Sequence, residues 1–315
     1  MPILVVGAGA IGGYFGGRLL EAGRDVTFLV RQARAEKLAK TGLVIRSQFG
    51  DANLPMPKTL TAESLRAPFD LILLSCKAYD LAGAIESFAP AVGPNTAILP
   101  LLNGMRHLDM LAARFGDHAV LGGLAVISTT LDGDGRILHL NDFHLLAFGE
   151  RNGSPSPRIE AIASELSGAR FEARLTNSIM QEMWEKWVFI AATAGITCLM
   201  RASVGDIVAA GTADQTTALL DECCVIAAAQ GFKPTAAAVA RMRGVLTAPG
   251  SSFAASMLRD IERGARIEAD HIVGDLLARG GAQQQKYPLL AIANAHLKAY
   301  EARRARENTA AASAR

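Results

Sequence analysis

Cysteine is scarce in this chain, and so is any excess of charge of one sign. The four cysteines, Cys76, Cys198, Cys223 and Cys224, match no zinc-ligand spacing, and the adjacent pair cannot anchor an ordinary disulfide framework. They read as reduced thiols, which argues against a disulfide-stapled secreted scaffold and against a metal, and points to a cytoplasmic protein. Basic and acidic side chains number 32 and 30, for a net charge of +2. No one-signed field therefore favours nucleic acid or an anionic membrane surface, and the expected partner is a small molecule. Long apolar runs are missing as well. The longest candidate, Trp187 to Met200, is interrupted by Thr193, Gly195 and Thr197 and is shorter than the roughly 20 residues that a membrane span takes. It reads as a buried helix. The apolar N-terminus lacks the basic leader of a signal peptide, so it is expected to be retained.

What is present is apolar material for two cores: 315 residues, 50% of them hydrophobic. The chain opens on an apolar strand, residues 2–6, that runs into Gly7-Ala8-Gly9-Ala10-Ile11-Gly12 and then into a helix. Gly7 permits a tight turn, Gly9 lets the backbone approach a pyrophosphate, and Gly12 lets the helix pack close to the strand, with unpaired N–H groups facing the anion. A glycine-rich turn alone is weak evidence. Here the second strand, residues 26–30, follows at βαβ spacing, which makes the turn a dinucleotide phosphate site.

Further along, a helix is expected over residues 33–40, a β-rich stretch over 43–46, and a strand over 69–75 whose unbroken apolar run suits a parallel sheet buried on both faces. Other strand candidates are 96–101, 119–126, 137–140 and 145–148, each bounded by Gly, Pro, Asn or Asp. One more α/β element over 158–175 closes a Rossmann-type, doubly wound parallel domain at residues 1–175. From Ser178 the chain becomes alanine-rich with helical periodicity, so residues 176–302 are expected to form an all-helical substrate or dimerisation domain. The segment 303–315 loses periodicity and reads as a disordered tail.

In NAD-binding βαβ units the end of the second strand carries an acid for the ribose 2′-hydroxyl. Arg31 stands there instead, with Arg34 and Lys37 as helpers. A guanidinium at that place suits a 2′-phosphate and favours NADP(H), the alternative being an ordinary solvated arginine. Lys77 follows the 69–75 strand at the carboxyl edge of the sheet, where such folds bind ligands, and is either a cofactor contact or a loop charge. Asn103, after the next apolar strand, offers a donor and an acceptor beside the nicotinamide, or belongs to a plain Asn-Gly turn. Lys186 stands where a charged stretch passes into a buried helix. Desolvation there would lower its pKa and let it protonate an alkoxide, whereas a snorkelling lysine at a helix end is the ordinary alternative.

Taken together, Gly7 to Gly12, Arg31, Lys77, Asn103-Gly104-Met105, Phe148-Gly149-Glu150, Trp184-Glu185-Lys186, and Ser256 to Asp260 followed by Glu268 resemble the ketopantoate reductases (2-dehydropantoate 2-reductases), NADPH-dependent enzymes of pantothenate biosynthesis. The resemblance runs from residue 1 to about residue 300. It implies Lys186 as proton donor, Asn103 as a contact to nicotinamide and substrate, Lys77 as a cofactor ligand, Ser256 as a substrate contact, and Glu268 as an acid near the cofactor ribose and substrate. On one straight helix Ser256 and Glu268 would stand about 120° apart, so a break at Gly264 would have to bring them together. A homodimer through the helical domain is a further expectation.

The chain departs from that family in one respect. Where family members carry asparagines that hold the substrate, it has Ile190, Ala194 and Val204. Thr193 and Thr197 lie within about 20° of Lys186 on the helix wheel and could replace them as carboxylate ligands, or could bond back to the helix carbonyls. The expected reaction is reduction of 2-dehydropantoate in a cleft against the helical domain. Two alternatives remain: a related 2-oxo acid reductase with a more apolar substrate, and a non-catalytic NADPH-sensing module.

Overall fold

A computed structural model describes residues 1–313, and the side chains of all of these except residues 283, 284 and 311–313. Contacts divide the chain into two compact units, Met1–Leu102 with His107–Met180, and Asn103–Arg106 with Gln181–Arg315.

The first unit is built on a five-stranded parallel sheet. Its strands are β1 (Ile3–Val6), β2 (Val26–Leu29), β5 (Thr59–Leu60), β6 (Leu71–Leu74) and β7 (Ala97–Pro100), in the order β5-β2-β1-β6-β7. Every residue of β1, β2, β6 and β7 is buried, the reason their sequences are continuously apolar rather than alternating. Helices α1 (Ala10–Glu21), α2 (Gln32–Thr41), α3 (Leu81–Phe88), α4 (Arg106–Phe115) and α5 (Pro157–Leu166) occupy the connections.

A second sheet, which the sequence does not announce, has the order β10-β9-β3-β4, with β8 also paired to β9. Its members are β3 (Leu43–Arg46), β4 (Ala52–Leu54), β8 (Gly122–Leu131), β9 (Ile137–Gly149) and β10 (Glu172–Leu175). The two strands expected at 137–140 and 145–148 are one, β9. The apparent break falls at an irregularity, where pairing steps from Ile127↔His144 to Thr129↔His139.

Helix α1 lies between these sheets, and its glycines explain how. A Cβ on Gly16 would come within 2.8 Å of Phe28 and 2.9 Å of Val5 in the first sheet. On the opposite face, a Cβ on Gly13 would meet Ile137 at 2.6 Å, and one on Gly17 would meet Ile45 at 2.8 Å and Leu43 at 2.9 Å. Glycines on both faces thus let one helix approach two sheets closely.

On its second-sheet side α1 also carries Tyr14 and Arg18. Tyr14 Oη bonds His144 Nδ1 at 2.9 Å, Phe49 stacks on His144 with centroids 3.9 Å apart, and His139 lies 5.9 Å from His144. Burial holds the His144 pKa below 6.5, helped by the positive potential of His139 and Arg18 and opposed by Glu172. Above about pH 6.5 the imidazole is neutral in both folded and unfolded chains. As the pH falls below that value the unfolded chain takes up the proton first, and stability is lost until the folded pKa is passed. We expect the urea midpoint to fall as the pH is lowered from about 7.5 to about 5. His144→Gln, which keeps a hydrogen bond to Tyr14, should diminish that loss.

The second unit is helical apart from its Asn103–Arg106 segment: α6 (Ile179–Met200, its first two residues in the first unit), α7 (Val204–Ala209), α8 (Ala213–Ala229), α9 (Ala236–Leu246), α10 (Ser256–Glu262), α11 (Asp275–Arg279) and α12 (Pro288–Ser313). A π-helical turn, Asp270–Gly274, precedes α11. No helix among the described residues is long and apolar enough to cross a membrane.

The tail expected at 303–315 is a correction, since α12 continues through Ser313. Residues 302–313 are rich in Ala and Arg, both good helix formers, and Arg303 and Glu307 pair at 3.8 Å one turn apart. Periodicity fades there because the helix is solvated nearly all round, not because it ends. Residues 314 and 315 lie outside the described residues.

Candidate active site

In the first unit the site begins where β1 ends. Gly7 has φ +93°, a conformation open to glycine at no steric cost. Gly9 caps α1 with extended backbone and no side chain, so the first N–H groups of the helix face outward unpaired. A Cβ on Gly9 would meet nothing within 4 Å, whereas one on Gly12 would overlap Ser75 Oγ and the Gly7 carbonyl oxygen. The turn is therefore open on one side and tightly packed on the other. Ser75 Oγ donates into the pair of carbonyls of Val6 and Gly7, at 3.1 and 3.2 Å, and ties the end of β6 to the glycine turn. Nothing in the sequence pattern singles Ser75 out for that part.

Parallel pairing aligns Val6 with Leu29 and Leu74, and Leu74 with Pro100. Gly7, Arg31, Lys77 and Asn103 consequently all follow strands that end at one carboxyl edge. The three cations after β2 differ in use. Arg34 Nε donates to Ala8 O at 3.1 Å and its terminal nitrogens lie 3.4 Å from Gly135 O, so it braces the glycine turn against the β8-β9 hairpin. Lys37 lies beside Gly135 and borders a cavity with Thr41, Asp134 and Arg136. Arg31 is 86% exposed and pairs with Asp80 at 3.4 Å. Lys77 is exposed and caps the short turn Ala78–Asp80. An uncapped helix start, open space over Gly9 and an unburied guanidinium at the end of β2 fit a dinucleotide.

In the second unit the chemistry gathers around the π-turn. Trp187, fully buried on α6, donates its indole N–H to Ile272 O at 2.9 Å, which fixes the residue next to Lys186 against the turn. The neighbouring His271 is buried and hydrogen-bonds the Asn103 backbone. Gly104, at φ +77°, passes so close that a Cβ would lie 2.7 Å from His271 O and 2.9 Å from its ring. Glu268 is partly buried just before the turn, and its carbonyl accepts from Ile272 N at 3.1 Å. The π-turn thus links the segments that carry Lys186, Glu268 and Asn103, and such single turns recur at functional sites.

Lys186 is partly buried, and desolvation of its ammonium lowers the pKa from 10.5 to about 8. The His271 pKa is held below 6.5, mainly by burial; Glu268, Asp275 and the Asn103 backbone oppose that shift and Arg106 adds to it. Gly264, at φ +66°, ends α10, and Ala265 N bonds back to Asp260 O. Ser256 and Glu268 are therefore not on one straight helix. Ser256 is the exposed first residue of α10.

Thr193 and Thr197 are corrected. Both are buried and donate to the carbonyls of Phe189 and Thr193, each at 2.7 Å, and Thr197 also accepts from Ala255 N at 3.3 Å. Their hydroxyls serve α6 and hold the start of α10 in place rather than facing a ligand. Ala194 and Val204 are likewise buried, whereas Ile190, one turn after Lys186, keeps part of its surface open.

The family model described as ketopantoate reductase PanE/ApbA matches residues 3–153, and that for the C-terminal region of the same family matches residues 178–301. The chain is 40% identical over 303 residues to a Bacillus subtilis protein named uncharacterized oxidoreductase YkpB, covering 96% of this chain and 99% of that one. The crystal structure of 2-dehydropantoate 2-reductase from Geobacter metallireducens superposes with a TM-score of 0.84 at 30% identity, covering 95% of this chain and 99% of that one. D-mandelate dehydrogenase, solved with NADH and anilino(oxo)acetate, shares the fold at a TM-score of 0.85 and 18% identity, covering 96% of this chain and 99% of that one. The chain is an oxidoreductase of the ketopantoate reductase family.

Proposed function

We propose that the chain reduces 2-dehydropantoate to pantoate with NADPH, a step of pantothenate biosynthesis, in a reducing cytoplasm that keeps its four cysteines out of disulfides. The observation that carries this reading is Lys186, an ammonium lowered to about pKa 8 by burial, on a helix bonded to the turn that also holds the Asn103 backbone. A pKa near the working pH lets one group both hold and release a proton.

NADPH, when bound, supplies the hydride. The outward N–H groups at the start of α1 hold the pyrophosphate, Arg31 binds the 2′-phosphate, and Lys77 contacts the cofactor. Asn103 orients the ketone through its amide, Ser256 contacts the substrate, and Glu268 accepts hydrogen bonds from ribose and substrate hydroxyls. Lys186 Nζ donates a hydrogen bond to the ketone oxygen and passes its proton to that oxygen as the alkoxide forms.

Steady-state NADPH oxidation with 2-dehydropantoate and a panel of other 2-oxo acids tests this reading. The highest kcat/KM should fall to 2-dehydropantoate. A clear preference for an acid without the hydroxyl would transfer the assignment to a related 2-oxo acid reductase. Cofactor binding without turnover of any acid would leave a non-catalytic module. Ile190 favours the related 2-oxo acid reductase, because it puts an apolar, partly open side chain one turn from Lys186. Ile190→Asn therefore discriminates. An added hydrogen bond is worth about 1 kcal/mol, so if the natural substrate carries a hydroxyl, the variant should shift kcat/KM toward 2-dehydropantoate by roughly fivefold relative to its deoxy analogue.

A further inference from the structure

The Arg31 and Asp80 pair is placed where a surface ion pair has an unusual consequence. Arg31 follows β2 and Asp80 ends the turn after β6, and β1 lies between those strands in the sheet. Adjacent strands are about 4.8 Å apart, so the exits of β2 and β6 are separated by roughly 10 Å with the glycine turn between them. A contact of 3.4 Å between Arg31 Nη2 and Asp80 Oδ2 spans that gap above the exit of β1. The adenosine ribose of a dinucleotide held by the turn belongs at the end of β2. It would meet both partners.

The two charges favour different riboses. A 2′-phosphate draws the Arg31 guanidinium but sits beside the Asp80 carboxylate, a like charge that nothing else in the pair offsets. A 2′-hydroxyl donates to that carboxylate and leaves the ion pair intact, the part an acid at the end of β2 plays in NAD sites. Arg31 is 86% exposed and Asp80 40% exposed, and such a pair contributes little to folding stability. Its removal should act on binding rather than on the fold.

We infer that Asp80 is a cofactor-discriminating residue that restrains the NADPH preference conferred by Arg31 and admits NADH as a second cofactor. This inference rests on the proposed contact between Arg31 and the 2′-phosphate, and the test separates the two. Dissociation constants for NADPH and NADH are measured by calorimetric titration of the full chain without substrate, for wild type, Asp80→Asn and Arg31→Ala, at low and high salt. The expected result for Asp80→Asn is a five- to fiftyfold rise in the NADPH to NADH affinity ratio, from tighter NADPH and weaker NADH, with an unchanged melting temperature. The NADPH gain should shrink at high salt, because the repulsion removed is exposed and screened. A ratio within twofold of wild type, while Arg31→Ala weakens NADPH at least tenfold, would overturn the role of Asp80 and leave the Arg31 contact standing. If Arg31→Ala leaves NADPH binding unchanged, the contact itself is wrong and the inference about Asp80 goes with it.

Discussion

Lys186→Met is expected to remove turnover and to stabilise the protein at the same time. A positioned general acid contributes roughly 10²- to 10⁴-fold to a proton-coupled step, so kcat should fall by that factor while the NADPH dissociation constant stays within about twofold. Wild-type kcat/KM for reduction should decline as the pH rises through about 8, where the ammonium is lost, and that limb should be absent from the residual activity of the variant. The stability sign follows from the same shift. Unfolded, the lysine titrates near 10.5; folded, near 8. Above 10.5 both states are neutral, and as the pH falls from 10.5 toward 8 the unfolded chain binds the proton first, so stability is lost and then levels off. By pH 7 a shift of this size corresponds to about 3 kcal/mol. Methionine removes the charge and keeps the stem, so the urea midpoint at pH 7 should correspond to a gain of roughly 1–3 kcal/mol. If Lys186→Met is inactive but no more stable, the lysine is not desolvated in the way its pKa requires. If it keeps wild-type turnover, Lys186 is not the proton donor.

The first sheet is legible in the sequence because parallel strands buried on both faces leave unbroken apolar runs, and the glycine turn marks its working edge. The second sheet is not, since membership of a sheet depends on pairing partners and not on local pattern. Residues 141–143 look like a loop because they lie opposite the irregularity in β8, where the polar Asn141 reaches back to Ser128 N at 2.7 Å. The second unit shows the same division. Helical periodicity announces its helices, and Gly264 breaks α10 at the place where a straight helix would have set Ser256 and Glu268 apart. The π-turn has no such signal, so His271 and the bond from Trp187 to Ile272 emerge only in three dimensions. Thr193 and Thr197 show why: the helix wheel puts them on the Lys186 side, but only burial reveals that their hydroxyls are committed to backbone. Asp80 lies three residues after Lys77 at the same strand edge, yet a sequence does not say that its carboxylate turns toward Arg31.

Gly12→Ala should be the most damaging single methyl that the first unit can receive. The added Cβ would overlap two atoms at once, Ser75 Oγ and the Gly7 carbonyl oxygen. The first is the end of a side chain and could rotate, at the cost of its bond to the Val6 and Gly7 carbonyls. The second is backbone of the turn itself, at a residue already held at φ +93°, and can retreat only by moving the N–H groups that face the pyrophosphate. Overpacking of a tight site costs typically 1–3 kcal/mol, and part of that cost here falls on the binding geometry. The expected outcome is a loss of roughly 2 kcal/mol in urea unfolding together with a 10- to 100-fold weaker NADPH dissociation constant, about 1.4–2.8 kcal/mol. A second substitution separates the two contacts. Ser75→Ala removes the hydroxyl but leaves the Gly7 carbonyl in place, so Gly12→Ala/Ser75→Ala should recover part of the stability and little of the cofactor affinity. Full recovery of affinity in the double variant would mean that Ser75, and not the close approach of helix to turn, sets the shape of the phosphate site. Wild-type affinity in Gly12→Ala alone would mean that the dinucleotide is not held by the start of α1.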